Sequence, residues 1–158
     1  MKKGIIAAVC TVAGITAGAG AVWKKWKTRE AAILALSNKH LALFFLMNQW
    51  VKVKQENKSI GEYLRKKGYE KIAIYGMNYA GETLLDELAG SDVEVKYGID
   101  RNADSIYLNV DVVSPEESLE DVDAIIVTAI TYFDEIAEQL GKKTDAEILS
   151  LEDILNEI

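Results

Sequence analysis

The residues whose spacing carries chemistry lie near the middle of the chain, at Gly76-Met77-Asn78-Tyr79-Ala80-Gly81. They follow the β-rich run Lys71–Tyr75 and precede a helical pattern, which makes them a strand-to-helix turn. In the turn that cradles a dinucleotide, a first glycine makes the bend and a second lets a pyrophosphate approach bare backbone. A third lets helix and strand pack closely. Gly76 and Gly81 hold the first and third places, while Asn78 stands in the second. Asp100 ends the next predicted strand, where a ribose-binding carboxylate belongs. Thr128 closes a later strand on the edge where open α/β sheets bind ligands, and Tyr79 is the aromatic residue best placed to line that edge.

A second reading of these residues stays open. The two glycines then serve the turn and its packing alone, and Asp100 caps a loop. Asn78 adds a side chain where a phosphate would touch backbone, although Asn tolerates unusual backbone angles. Glu82 falls in the first turn of the helix, where it suits the helix dipole but repels a phosphate. Thr131 is read as a helix cap, and Phe133 as core.

Other chemistry is limited by composition. The chain has one Cys and one His, which excludes an internal disulfide framework and the usual zinc clusters. His40 falls on an apolar stripe and is read as interfacial. The acidic segment 116–123 is read as solvated surface, so no metal ligands and no catalytic residues are assigned. Residues 71–158 lack the Tyr-x-x-x-Lys pair of short-chain dehydrogenases, and they are too few for a cofactor half plus a substrate half. A self-sufficient oxidoreductase is not expected.

The elements that position the turn follow from periodicity. Strands are predicted at Lys71–Tyr75, Val93–Ile99, Val110–Val113, Asp123–Ala129 and Glu147–Ser150. Helices are predicted at Gly81–Leu88, Tyr132–Leu140 and Leu151–Ile158, with an acidic helical turn after Pro115. Strands separated by helices give an α/β fold with a parallel sheet, here in the order 3-2-1-4-5. Ahead of it, Ser59-x-x-Glu62 reads as a capping box for a short helix ended by Gly68. Residues 29–57 read as a bridging apolar helix, with Ser37 and Asn38 as a point of interruption.

Charge divides the chain. Residues 1–70 hold 13 Lys/Arg against 4 Asp/Glu, and residues 71–158 hold 5 against 21, a split of +9 and −16 behind the net −7. The acidic part repels polyanions and argues against nucleic acid as a ligand. Residues 4–23 carry no charge and are long enough to span a hydrocarbon core. Basic residues flank them, with Trp23 and Trp26 at the trailing edge, so residues 1–28 read as a membrane anchor with the remainder on the cytoplasmic side. A cleaved signal peptide ending near Ala19-Gly20-Ala21 is the alternative, and it would export the chain. Gly14-x-x-x-Gly18 permits close helix approach and suggests a homodimer.

The run KIAIYGMNYAGETLLDEL, followed by VKYGIDRNAD, VDVVSPEE and VDAIIVTAI, resembles the Rossmann-like domains of bacterial polysaccharide-synthesis proteins. It is similar to the nucleotide-sugar-binding front domain of sugar acyltransferases. The resemblance covers residues 58–158 and leaves the apolar leading segment outside. It implies that Gly76, Asn78, Tyr79 and Gly81 border a phosphate or uridine site and that Asp100 contacts a ribose or base. A nucleotide-sugar or NAD(P) is then the ligand. The expectation is a membrane-tethered nucleotide or nucleotide-sugar binding module, accessory to cell-envelope polysaccharide synthesis and paired with itself or a glycan-synthesis partner. The alternatives are a Rossmann-shaped scaffold without a small-molecule ligand, and an enzyme subunit completed by another chain.

Overall fold

The computed structural model describes residues 2–158, with side chains from residue 23 onward. Two compact units divide the chain, Met1–Leu41 and Ala42–Ile158.

The first unit is the leading part of α1 (Lys2–Gln55). Every side chain from Trp23 to Leu41 is exposed. The interruption predicted at Ser37 and Asn38 does not occur, and the helix runs through them. Ser and Asn each cost only about 0.5 kcal/mol in a helix, too little to break one flanked by Ala and Leu. Among the described residues, the stretch Trp23–Gln55 of α1 is long and apolar enough to cross a membrane. Of the predicted span, only Trp23 has a described side chain; the side chains of residues 4–22, the stretch that holds Gly14-x-x-x-Gly18, lie outside the described residues.

The second unit is the α/β fold. After the end of α1 come α2 (Ile60–Lys67), β1 (Lys71–Tyr75), α3 (Tyr79–Leu88), β2 (Glu94–Ile99) and β3 (Val112–Val113). β4 (Ala124–Val127), α4 (Phe133–Leu140), β5 (Glu147–Ser150) and α5 (Leu151–Glu157) complete it. Short 3-10 turns at Ala103–Ser105 and Ile130–Tyr132 join some of them. The five strands are all parallel in the order β3-β2-β1-β4-β5, as the periodicity predicts. β1 and β4 are central, and their apolar runs are buried on both faces.

Ile72 and Ile74 of β1 point to one face, where they meet Leu64, Leu84 and Ile154 from α2, α3 and α5. Leu46, Trp50 and Val53 from the end of α1 complete that layer, so the last turns of the bridging helix are core. Ala73 and Tyr75 point to the other face and meet Ile136 and Leu140 of α4. Each fully buried aliphatic side chain stabilises by roughly 1.5–3 kcal/mol.

Two local expectations are corrected. Ser59 has the extended backbone of an N-cap but its side chain makes no cap bond; the Glu87 carboxylate accepts the Ile60 N–H instead, at 3.1 Å. The segment after Pro115 is not helical. Ser114 N–H donates to Glu117 Oε1 at 2.8 Å, closing an acidic turn there.

Candidate functional site

The carboxyl ends of β1, β2 and β4 bring the predicted residues together. β1 delivers Gly76, whose φ of 94° lies in the left-handed region. A Cβ there would stand 2.8 Å from Thr128 Oγ1, so both conformation and space require glycine. The Gly76 N–H donates to Ile99 O at 2.8 Å, which ties the bend to the end of β2.

Thr128, one residue past β4, is buried. Its hydroxyl donates to Gly76 O at 2.6 Å, with Tyr75 O a second acceptor at 3.2 Å. The side chain predicted to meet a ligand thus faces inward and fixes the turn. Asp100 acts from the other flank. Its Oδ2 accepts the Met77 N–H and its Oδ1 the Asn102 N–H, both at 2.9 Å. The carboxylate therefore holds the glycine turn and caps the loop that follows β2.

Asn78 is the N-cap of α3. Its backbone is extended, with φ −99°, and its Oδ1 accepts the Ala80 N–H at 3.1 Å. The left-handed tolerance of Asn is not needed. Gly81 lies against the turn, and a Cβ there would stand only 2.2 Å from Gly76 O. This is the close helix–strand approach that the third glycine of the pattern serves. Tyr79 is the exception in the group: it is 78% exposed, and among the described residues no hydrogen bond holds its hydroxyl. Glu82 is exposed in the first turn of α3.

Two residues went unrecognised in the sequence. Gly98, inside β2, makes room for Met77: a Cβ there would stand 2.8 Å from Met77 Cγ. A glycine inside a predicted strand was the available signal, since it marks a close approach. Arg101 follows Asp100 directly and is exposed, adding a cation at the same strand end.

A depression of about 510 Å³ opens farther along the edge, beyond β4 and β5. Thr131 and Tyr132 line it with Asp134, Glu135, Glu152 and Asp153. The four carboxylates give it the wrong sign for a phosphate. Thr131 lies in the 3-10 turn and does not cap α4, which starts at Phe133 without a side-chain cap. Among the described residues no group of three His, Cys, Asp or Glu could hold a metal ion. Titration shifts in this unit fall on structural groups. Burial raises the Tyr97 phenol, and the Glu147 carboxylate beside Tyr69 pushes its phenol up to about 12.

The arrangement thus uses its polar side chains internally: two carboxyl or amide oxygens and one hydroxyl bind backbone groups of the turn itself. No curated protein and no solved structure matches the chain. Residues 68–148, which run from just after α2 into β5, match the family model described as C2185-like, N-terminal, and the chain belongs to that family.

Proposed function

We infer that this chain is a membrane-tethered scaffold: a Rossmann-shaped domain that docks a protein partner or a second copy and leaves its glycine turn without a nucleotide. One observation carries the reading. Asp100 and Asn78 accept the Met77 and Ala80 N–H groups, two of the backbone donors a phosphate would use at a helix start. The acidic depression along the same edge adds repulsion. The resemblance to polysaccharide-synthesis domains directs the search for a partner toward glycan-assembly enzymes at the cytoplasmic face.

Nucleotide or nucleotide-sugar binding is the second reading, and Tyr79 favours it. An exposed ring beside the turn at the point where strand order reverses is a stacking surface for a base. Arg101 would then supply the cation that the turn itself lacks.

Thermal unfolding of the full chain in detergent separates the two, with UDP-sugars, NAD and NADP added in turn. A ligand that binds only the folded state raises the melting temperature with its concentration. The scaffold reading expects no rise with any of them and a stable homo-oligomer or partner complex by light scattering. A saturable rise that is lost in Tyr79→Ala overturns it.

A further inference from the structure

We propose that Lys24, Lys25, Lys27 and Arg29 form a collar that binds anionic lipid headgroups, with Trp23 and Trp26 as its contact with the acyl boundary. The inference rests on the membrane-tether reading and names the surface to which the tether binds. All six side chains are exposed, the two indoles at 66% and 72%. Lys27 Nζ stands 5.7 Å from the centroid of the Trp23 ring, so a cation and an indole share one position on the helix.

The geometry of the charges selects the occupant. At about 100° per residue, Lys25 and Arg29 share one side and Lys24 and Lys27 lie farther round, so the four cations cover about 200° of the helix, with Trp23 and Trp26 in the remaining sector. A protein partner, a second copy or a nucleic acid approaches a helix from one side and would leave part of so wide an arc, or the indoles opposite it, unmatched. A headgroup layer surrounds a helix that passes through it, and so matches every direction at once. Between residues 23 and 41 the sequence has a single acidic residue, Glu30, so the local field remains positive. Indoles favour the same depth, at the boundary between headgroup and hydrocarbon. A cluster of four or more Lys/Arg beside a membrane helix gains on the order of 1 kcal/mol per residue from an anionic leaflet, roughly a fivefold preference each.

The test uses the full chain reconstituted into vesicles of phosphatidylcholine and phosphatidylglycerol, with bromine on the acyl chains of one lipid at a time. Trp23 and Trp26 report the neighbouring lipid by quenching, while buried Trp50 serves as an internal reference for folding. The expected result is quenching by brominated phosphatidylglycerol about twofold above its bulk share. Raised salt should reduce that excess, as should the K24Q/K25Q/K27Q/R29Q variant, whose Trp50 emission stays native. Equal quenching by the two lipids overturns the collar, and with carbonate-resistant chain it does so while the tether stands. Quenching by neither lipid, with crosslinking of residues 23–29 to a second copy, overturns it in favour of a protein-covered helix. Release of the chain by carbonate overturns collar and tether together.

Discussion

Glu87 on α3 joins three elements of the folded unit, and its removal should cost more than that of an exposed carboxylate. One carboxylate oxygen accepts the indole N–H of Trp50 from the end of α1. The other accepts the Ile60 N–H at the start of α2, at 3.1 Å, and pairs with Lys54 Nζ at the same distance. The Glu87 side chain is 8% exposed, so these bonds form largely away from water. A hydrogen bond to a charged group contributes about 1.5–3 kcal/mol. The Ile60 bond acts as a helix N-cap, worth about 1 kcal/mol. Lys54 is half exposed and adds under about 1 kcal/mol. Because all three share one carboxylate, they do not sum fully, and Glu87→Ala should lose about 3 kcal/mol. For a unit of this size that lowers the melting temperature by roughly 10–15 °C. Near-ultraviolet circular dichroism of the full chain in detergent measures it without interference from the long helix. Glu87→Gln should fall between, since an amide keeps one acceptor and turns a donor toward the other N–H. A Trp50→Phe/Glu87→Ala cycle should show coupling above about 1 kcal/mol. A loss below about 1 kcal/mol for Glu87→Ala, or plain additivity in the cycle, would refute this account of how α1 is held.

Three further outcomes follow from the same contacts. Thr128→Val keeps the shape but leaves Gly76 O without its hydroxyl donor, so stability should fall by about 1–2 kcal/mol on chemical denaturation. Gly81→Ala forces a methyl against Gly76 O and should cost about 3 kcal/mol or prevent folding; a stable, soluble variant with native dichroism would contradict the 2.2 Å approach. Asp123 accepts the Lys71 and Glu70 backbone N–H groups, at 2.7 and 2.8 Å, and these bonds hold its pKa below the usual 3.8. A depressed carboxylate supplies its stability above the unfolded pKa and loses it as pH falls through the folded value. Acid titration of Asp123→Asn should therefore show a shallower loss of stability below about pH 4 than the parent chain.

The sheet was legible because its strands announce themselves by composition. Ile72–Tyr75 and Ala124–Val127 are continuous apolar runs, each bounded by charge on one side and by Gly or Thr on the other. That combination fits a strand buried on both faces and little else. Alternation with helices then fixes parallel pairing, and the order β3-β2-β1-β4-β5 follows. What failed to show was long-range. Ser59 and Glu62 have the spacing of a capping box, yet the Ser59 side chain makes no cap bond, and Glu87, distant in sequence, accepts the Ile60 N–H. Thr128 sits at a strand end where ligands bind, but the direction of its hydroxyl depends on where Gly76 O lies, which no local pattern states. Gly98 carried a readable signal, a glycine inside a strand, without naming Met77 as the group it admits.

The glycine turn shows why a phosphate-binding spacing is weak evidence of a phosphate. Gly76 is required by its backbone angle and by Thr128, and Gly81 by the Gly76 carbonyl. Both requirements come from bringing a helix close to a strand, and neither involves a ligand. Discrimination lies in the second glycine place and in the N–H groups around it. There the chain has put Asn78, whose side chain takes the Ala80 N–H, and Asp100, whose carboxylate takes the Met77 N–H. An anion arriving at the turn would have to displace one carboxylate and approach Glu82 as well. Replacing Asp100 with Asn and Glu82 with Gln removes that repulsion while keeping hydrogen-bonding oxygens in place. If the turn is a ligand site in disguise, this double variant should acquire measurable NAD or UDP-sugar binding by calorimetry. If the bonds of Asp100 are what the turn is built around, the variant should bind neither nucleotide and should melt earlier than the parent chain, the outcome expected here.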